Sequence, residues 1–241
     1  MMKRMMQRVA NSLGYEVRKL HAATESDPFL FARGLIHAEE PVVFDVGAHD
    51  GETAIRLRRL FPTARIHCFE PFPDSFNLLE HATRADRRTA IHRLGLSDAA
   101  GTATMNLNAS TATNSLLRTD PRASETWGDG LVDTVGAIEI TTTTLDDFCD
   151  DRGIGHVDLL KIDTQGSEFA VLGGASRLLS RQGVNVLVFE MITASTYAGQ
   201  RAPSEYFALL ESRGYAFSGV FSPIYRSGVL AQCDVAFTPR R

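Results

Sequence analysis

The chain has 241 residues, 44% of them hydrophobic, and a formal charge of −4 at neutral pH. That is enough apolar content to bury a core without disulfides or a structural metal. The slight acidic excess gives no broad basic surface and argues against nucleic acid as a partner. The three cysteines, Cys68, Cys149 and Cys233, have neither metal-ligand nor CxxC spacing and suit a reducing cytoplasm. No apolar run is long enough to span a bilayer, so stable membrane insertion is not expected.

Residues 1–40 read as a helical extension preceding a main domain over residues 41–241. Met2, Met5, Met6, Val9 and Leu13 fall at helical spacing, while Arg8, Asn11, Glu16, Arg18 and Lys19 interrupt any signal-peptide core. A helix there would pack on the domain or on a second subunit of a homodimer. A substrate lid or a membrane-surface contact is the other reading.

From Pro41 onward short apolar runs alternate with helical patterns. The run at 42–46 ends in Asp45 and a glycine turn, and Ala54, Leu57 and Phe61 share one face of the helix that follows. A second run at 65–69 stops at Glu70-Pro71, because proline disfavours the helical region for the residue before it. Phe76, Leu78 and Leu79 mark the next helix, and residues 89–94 a third strand.

The runs at 157–163 and 184–190 lack alternation, as strands covered on both faces do. A single helix is expected between them over 168–179, and another around Tyr206, Leu209 and Leu210. The alternating stretches 215–220 and 233–238 predict an antiparallel addition at one side. The order implies an α/β fold: a doubly wound, mostly parallel, Rossmann-like sheet with an antiparallel C-terminal strand. Residues 101–144 break the pattern as a β-rich insertion. Its polar stretch 108–136, with Asn114, Ser115, Leu116, Leu117 and Trp127, is a candidate acceptor lid.

Ligands of open α/β sheets bind outside the carboxyl ends of the strands. Asp45, Glu70, Asp163 and Glu190 are expected to converge there. Gly47 and Gly51 lack the third glycine of a dinucleotide fingerprint, and Asp45 and Asp50 would repel a pyrophosphate. S-adenosylmethionine, with an ammonium and a sulfonium against one carboxylate, matches the acids instead. Gly47 and Gly51 would admit its methionine end without a Cβ in the way, while Thr53 and the helix start would meet its carboxylate. Glu70 would accept the ribose hydroxyls, and Ser97 would touch the adenine.

Phe44-Asp45-Val46-Gly47-Ala48-His49-Asp50-Gly51-Glu52-Thr53 and Phe69-Glu70-Pro71 resemble the first two motifs of FkbM-family methyltransferases. Leu159-Leu160-Lys161-Ile162-Asp163-Thr164-Gln165-Gly166-Ser167-Glu168 is similar to that family's signature, as is Thr144-Leu145-Asp146 before it. The resemblance runs over residues 42–190. It implies a class I methyltransferase fold and S-adenosylmethionine-dependent methyl transfer to a hydroxyl of a sugar, glycolipid or other secondary metabolite. Many relatives carry Asn where this chain has His49, and Val-Glu in place of Thr164-Gln165.

A hydroxyl needs a base to take its proton or a metal to acidify it. Either Asp163 or Glu190 would be that base, or both would ligate Mg²⁺; the other reading has Asp163 binding the cofactor through its ammonium and Glu190 capping a loop, and His49 is a further candidate base. Two rival readings are a non-catalytic cofactor-binding scaffold and an NAD(P)-dependent reductase.

Overall fold

The computed structural model describes residues 27–240. The reading of residues 1–26 as an amphipathic segment lies outside the described residues.

Helix α1 (Pro28–Leu35) starts where the Asp27 carboxylate accepts the Phe29 and Leu30 amides, with proline in the first turn. Strand β1 (Val42–Val46) is buried throughout and leads through the glycine turn into α2 (Glu52–Leu60). Next come β2 (Arg65–Phe69), α3 (Pro73–Thr83) and β3 (Thr89–His92). The insertion holds β4 (Gly95–Leu96), β5 (Gly101–Asn108), α4 (Ala123–Trp127) and β6 (Thr134–Thr143). After α5 (Leu145–Asp151) the main sheet resumes with β7 (Val157–Ile162), α6 (Glu168–Gly173), α7 (Ser176–Ser180) and β8 (Val184–Ile192). The chain closes with α8 (Pro203–Ser212), β9 (Tyr215–Arg226) and β10 (Val229–Pro239).

The seven-stranded sheet has the order β3-β2-β1-β7-β8-β10-β9. Its pairings are parallel from β3 through β8, and β10 runs antiparallel to both β8 and β9. The antiparallel strand therefore slots between β8 and β9. The hairpin outruns its alternating pattern because Ser227 and Gly228, both at positive φ, turn it tightly. A separate three-stranded sheet, β4-β6-β5, forms the insertion.

Two apolar clusters cover the faces of the main sheet. Phe44, Leu160, Leu187 and Phe237 belong to one, while Val43, Leu159, Val188 and Ala236 belong to the other together with Phe29 of α1 and Leu57 of α2. The single helix expected over 168–179 is instead two, α6 and α7. Gly174, where they part, lies so close to the insertion that a Cβ would stand 2.1 Å from the Ser97 carbonyl oxygen. In α3, Leu78 is exposed and Leu79 is fully buried.

Candidate functional site

The turn after β1 is tied to both neighbouring strands. The Gly47 and Ala48 amides donate to the Phe69 carbonyl at 3.0 Å, and the Asp163 amide donates to the Val46 carbonyl at 2.9 Å. Gly47 takes a φ of 75°, and a Cβ there would fall 1.8 Å from the Asp163 carbonyl oxygen. Glycine is thus required by the close passage of the β7 end, a demand separate from the ligand approach expected of it. Gly51 lies off the cleft. With a φ of 90° it forms the N-cap of α2 and packs against Leu79 and Ala82 of α3.

A cleft opens over the carboxyl ends of β1, β2 and β7. Gly47, His49, Thr53, Glu70 and Asp163 line it from the main sheet. Met105, Thr111, Asn114, Ser115, Leu116 and Ile140 line it from the insertion. The expected convergence of four acids holds for two of them, Glu70 and Asp163.

Glu70 sits at the end of β2, where its two carboxylate oxygens accept the His49 and Phe72 amides, each at 2.9 Å. Burial pushes its pKa up, and those amide bonds act against the rise. Each oxygen keeps a lone pair for another donor. His49, at a φ of 47°, places Nε2 3.0 Å from the Thr111 hydroxyl and so links the turn to the insertion.

Asp45 is a correction. Strand alternation turns it to the face opposite Phe44, where it is fully buried beside Lys161, with Nζ 3.0 Å from Oδ1. It cannot reach a ligand in the cleft. Lys161 also donates to the Gly47 carbonyl at 2.8 Å. Burial works against its charge, but Asp45 and Asp163 outweigh that and hold its pKa above the ordinary lysine value.

Glu190 is a second correction, because β8 continues to Ile192 and leaves the residue inside the strand rather than at its end. Its carboxylate is nearly sealed, accepting from Gln165 Nε2 at 2.8 Å and from Gln232 Nε2 at 3.0 Å. Burial, then the charges of Asp163 and Glu168, push its pKa well above the carboxylate range. With both oxygens taken by amide donors and none reaching the cleft, it makes a poor base. Ser97 is a third correction. Leu94, Gly95 and Leu96 form the cleft wall there, while the Ser97 hydroxyl turns to Asp98 at 3.2 Å.

Asp163 remains half-exposed in the cleft, with Oδ2 3.8 Å from Lys161 Nζ and Oδ1 accepting from Gln165 Nε2 at 2.9 Å. Glu168 opens α6 and turns its carboxylate back on the loop after β7. Its Oε1 accepts the Thr164 amide, the Thr164 hydroxyl and the Gly166 amide at 2.8, 3.2 and 3.1 Å, which shapes the loop after β7. Burial lifts its pKa to about 7.

Mg²⁺ on Asp163 and Glu190 does not fit these residues. Carboxylate oxygens of Asp163, Glu168 and Glu190 come within 4.8 Å of one another. However, a hard cation needs free anionic oxygens, and here both Glu190 oxygens and Asp163 Oδ1 already hold amide donors. S-adenosylmethionine fits better: the donor set offers an acid with spare lone pairs at Glu70, a helix start with a hydroxyl at Thr53, and an apolar wall at Leu94 to Leu96.

Sequence patterning alone gives no role to Lys161, Gln165, Tyr197 or Gln232. A lysine inside a buried apolar run, one strand from an aspartate, is the available signal for the first. For the other three, the pairings cross between distant segments and leave no local pattern.

Residues 45–217 match the family model described as the methyltransferase FkbM domain. The chain is 27% identical over 236 residues to the 31-O-demethyl-FK506 methyltransferase FkbM of Streptomyces tacrolimicus, covering 90% of this chain and 88% of that one. It is 27% identical over 174 residues to the 2-O-methyltransferase NoeI of Sinorhizobium fredii, covering 69% of each. Among solved structures, an rRNA methylase from Streptococcus thermophilus superposes with a TM-score of 0.52 at 11% identity, covering 90% of this chain and 98% of that one, a likeness of fold alone. These matches set aside the NAD(P)-dependent reductase. Motifs, fold and matches agree that the chain belongs to the FkbM methyltransferase family and is an S-adenosylmethionine-dependent O-methyltransferase.

Proposed function

We propose that the protein methylates a hydroxyl of a small molecule or glycan, a sugar or other secondary metabolite, with Asp163 as the general base. One observation carries this reading. Of the strand-end acids, Asp163 alone combines a half-exposed side chain in the cleft with an oxygen, Oδ2, that has no amide donor.

Bound S-adenosylmethionine supplies a methyl carbon already activated by its sulfonium. Glu70 accepts the ribose hydroxyls with its spare lone pairs. Thr53 and the first turn of α2 meet the carboxylate of the methionine end. Asp163 takes the hydroxyl proton, and the Lys161 ammonium beneath it provides a counter-charge. The insertion supplies the acceptor wall: Asn114 is buried there with its Nδ2 unpaired among the described residues, a donor suited to an acceptor oxygen. Trp127 lies away from that wall, donating to the Thr196 hydroxyl at 2.7 Å. His49, bonded to Thr111, orders the turn in this reading.

The test is transfer of labelled methyl from S-adenosylmethionine into cell glycan and lipid fractions. Replacing Asp163 by Asn should lower incorporation about 10²–10⁴-fold while cofactor affinity stays within a factor of about three. Full incorporation by the variant would remove Asp163 as base. A non-catalytic scaffold would give no incorporation with the unaltered protein.

A further inference from the structure

We propose that the Gln165 carboxamide occupies the seat between Asp163 and Glu190 that a divalent cation would otherwise take, and that Gln165 is the positioning residue for the Asp163 carboxylate. One nitrogen, Nε2, stands 2.9 Å from Asp163 Oδ1 and 2.8 Å from Glu190 Oε2. An amide NH₂ has two hydrogens, so both bonds form together. The group presents partial positive charge to the two carboxyls, as an ion would, but as a donor fixed to the chain.

The side chain is held at its other end as well. Gln165 Oε1 lies 3.0 Å from the Tyr197 hydroxyl, and the Gln165 main-chain carbonyl accepts from the Ser115 hydroxyl at 2.7 Å. Its φ of 54° lies in the left-handed region, which a glutamine keeps only when its surroundings enforce it. The next residue allows no slack, because a Cβ on Gly166 would fall 2.8 Å from the Tyr197 ring. Gln232 closes the remaining Glu190 oxygen at 3.0 Å. Four segments therefore converge on this one residue: the loop after β7, the insertion, strand β8 and the loop beyond it. The outcome for Asp163 is directional. Oδ1 is clamped, and Oδ2 is left as the oxygen available in the cleft.

This deepens the reading of Asp163 as base, since Asp163 is what the amide orients. The cation half of the proposal needs no acceptor and can fail on its own. The experiment is a Mn²⁺ titration of the full chain, followed by the electron paramagnetic resonance of the free ion. Folding is checked by circular dichroism. The unaltered protein should leave the Mn²⁺ signal unattenuated. Q165E, which exchanges the donor for a carboxylate between Asp163 and Glu190, should bind one ion, and adding D163N should abolish that binding. Saturable binding by the unaltered protein that D163N removes would overturn the proposal, as would a folded Q165E that binds nothing. If Q165E folds only with Mn²⁺ present, that dependence is itself the gained binding. If it folds in neither condition, Q165A decides, since it opens the seat without adding charge and should gain weak Mn²⁺ binding; no gain overturns the claim.

The positioning half is read in the labelled-methyl assay. Q165A should lower incorporation at least about tenfold in the unaltered background and leave the D163N background unchanged. Equal losses in both backgrounds would mean that Gln165 acts independently of Asp163. If no fraction is labelled by any protein, the acceptor reading fails, and the Mn²⁺ titration still decides the cation half.

Discussion

Lys161 Nζ stands 3.0 Å from Asp45 Oδ1 on the adjacent strand, and the burial of both leaves neither charge any useful hydration. The pair lies directly under the turn that opens the cleft, since the same ammonium donates to the Gly47 carbonyl. Scaffold and site are joined at this point.

Replacing Lys161 by Met should cost about 3–5 kcal/mol of folding stability, because it strands the Asp45 carboxylate in the core. Chemical denaturation measures the loss. The D45N/K161M double variant should lose clearly less than K161M alone, since no unpaired charge is left. Equal losses in the two would mean that the ion pair is not what holds this region.

Glu70→Ala should weaken S-adenosylmethionine binding about 10–100-fold, the value of hydrogen bonds to a charged group. Calorimetry gives the affinity directly. The same change frees the His49 and Phe72 amides, so the melting temperature should also fall. Unchanged affinity would show that the ribose lies elsewhere.

Gly47→Ala is expected to destabilise the fold by about 1–3 kcal/mol or more, through overpacking and a strained positive φ. The side chain would enter the Asp163 carbonyl, so the damage falls on the backbone of the proposed base. Unfolding midpoints of the variant and its parent should differ accordingly; equal midpoints would mean that the β1 and β7 ends can part without cost.

The stacked imidazoles of His67 and His92, with Nδ1 and Nε2 3.2 Å apart, make stability acid-sensitive. Burial lowers both pKa values to about 4, and Arg152, which lies over the Phe148 ring beside them, adds repulsion, as Arg65 does for His67. In the unfolded chain each titrates near 6.5, so between these values the unfolded state binds more protons. Their contribution is complete above pH 6.5 and is lost as the pH falls toward 4. His92→Phe, which keeps the contacts to Phe69 and Phe148, should flatten the fall in melting temperature over that interval. A fall as steep as the parent's would place the acid sensitivity elsewhere.

The main sheet was legible because its central strands are short, mostly apolar runs, its last two strands alternate, and its helices carry one apolar face each. The turn and the ends of β2 and β7 could be located from Asp45, Gly47, Glu70 and Asp163 for the same reason. Which way each acid points was not legible. Asp45 is one residue short of the strand end, and that single step of alternation sends it to the core beside Lys161. Glu190 reads as terminal because its charge interrupts the apolar run, whereas Met191 and Ile192 resume it and extend β8 against β10. Gln165 is set by Tyr197, Ser115 and Glu190, all far from it in the chain, and such pairings exist only after folding. The glycine between α6 and α7 likewise answers to the Ser97 carbonyl, a neighbour that periodicity cannot reveal.

The insertion shares no ladder with the seven-stranded sheet, yet it is pegged to it where the Ser115 hydroxyl meets the Gln165 carbonyl and where the one Tyr197 hydroxyl proton faces both the Thr113 carbonyl and Gln165 Oε1, each 3.0 Å away. In the proposed reading, exchanges at Ala112 or Leu116 would reshape the acceptor side of the cleft while the pegs keep the donor half in register. Exchanges at the pegs would unsettle both halves at once.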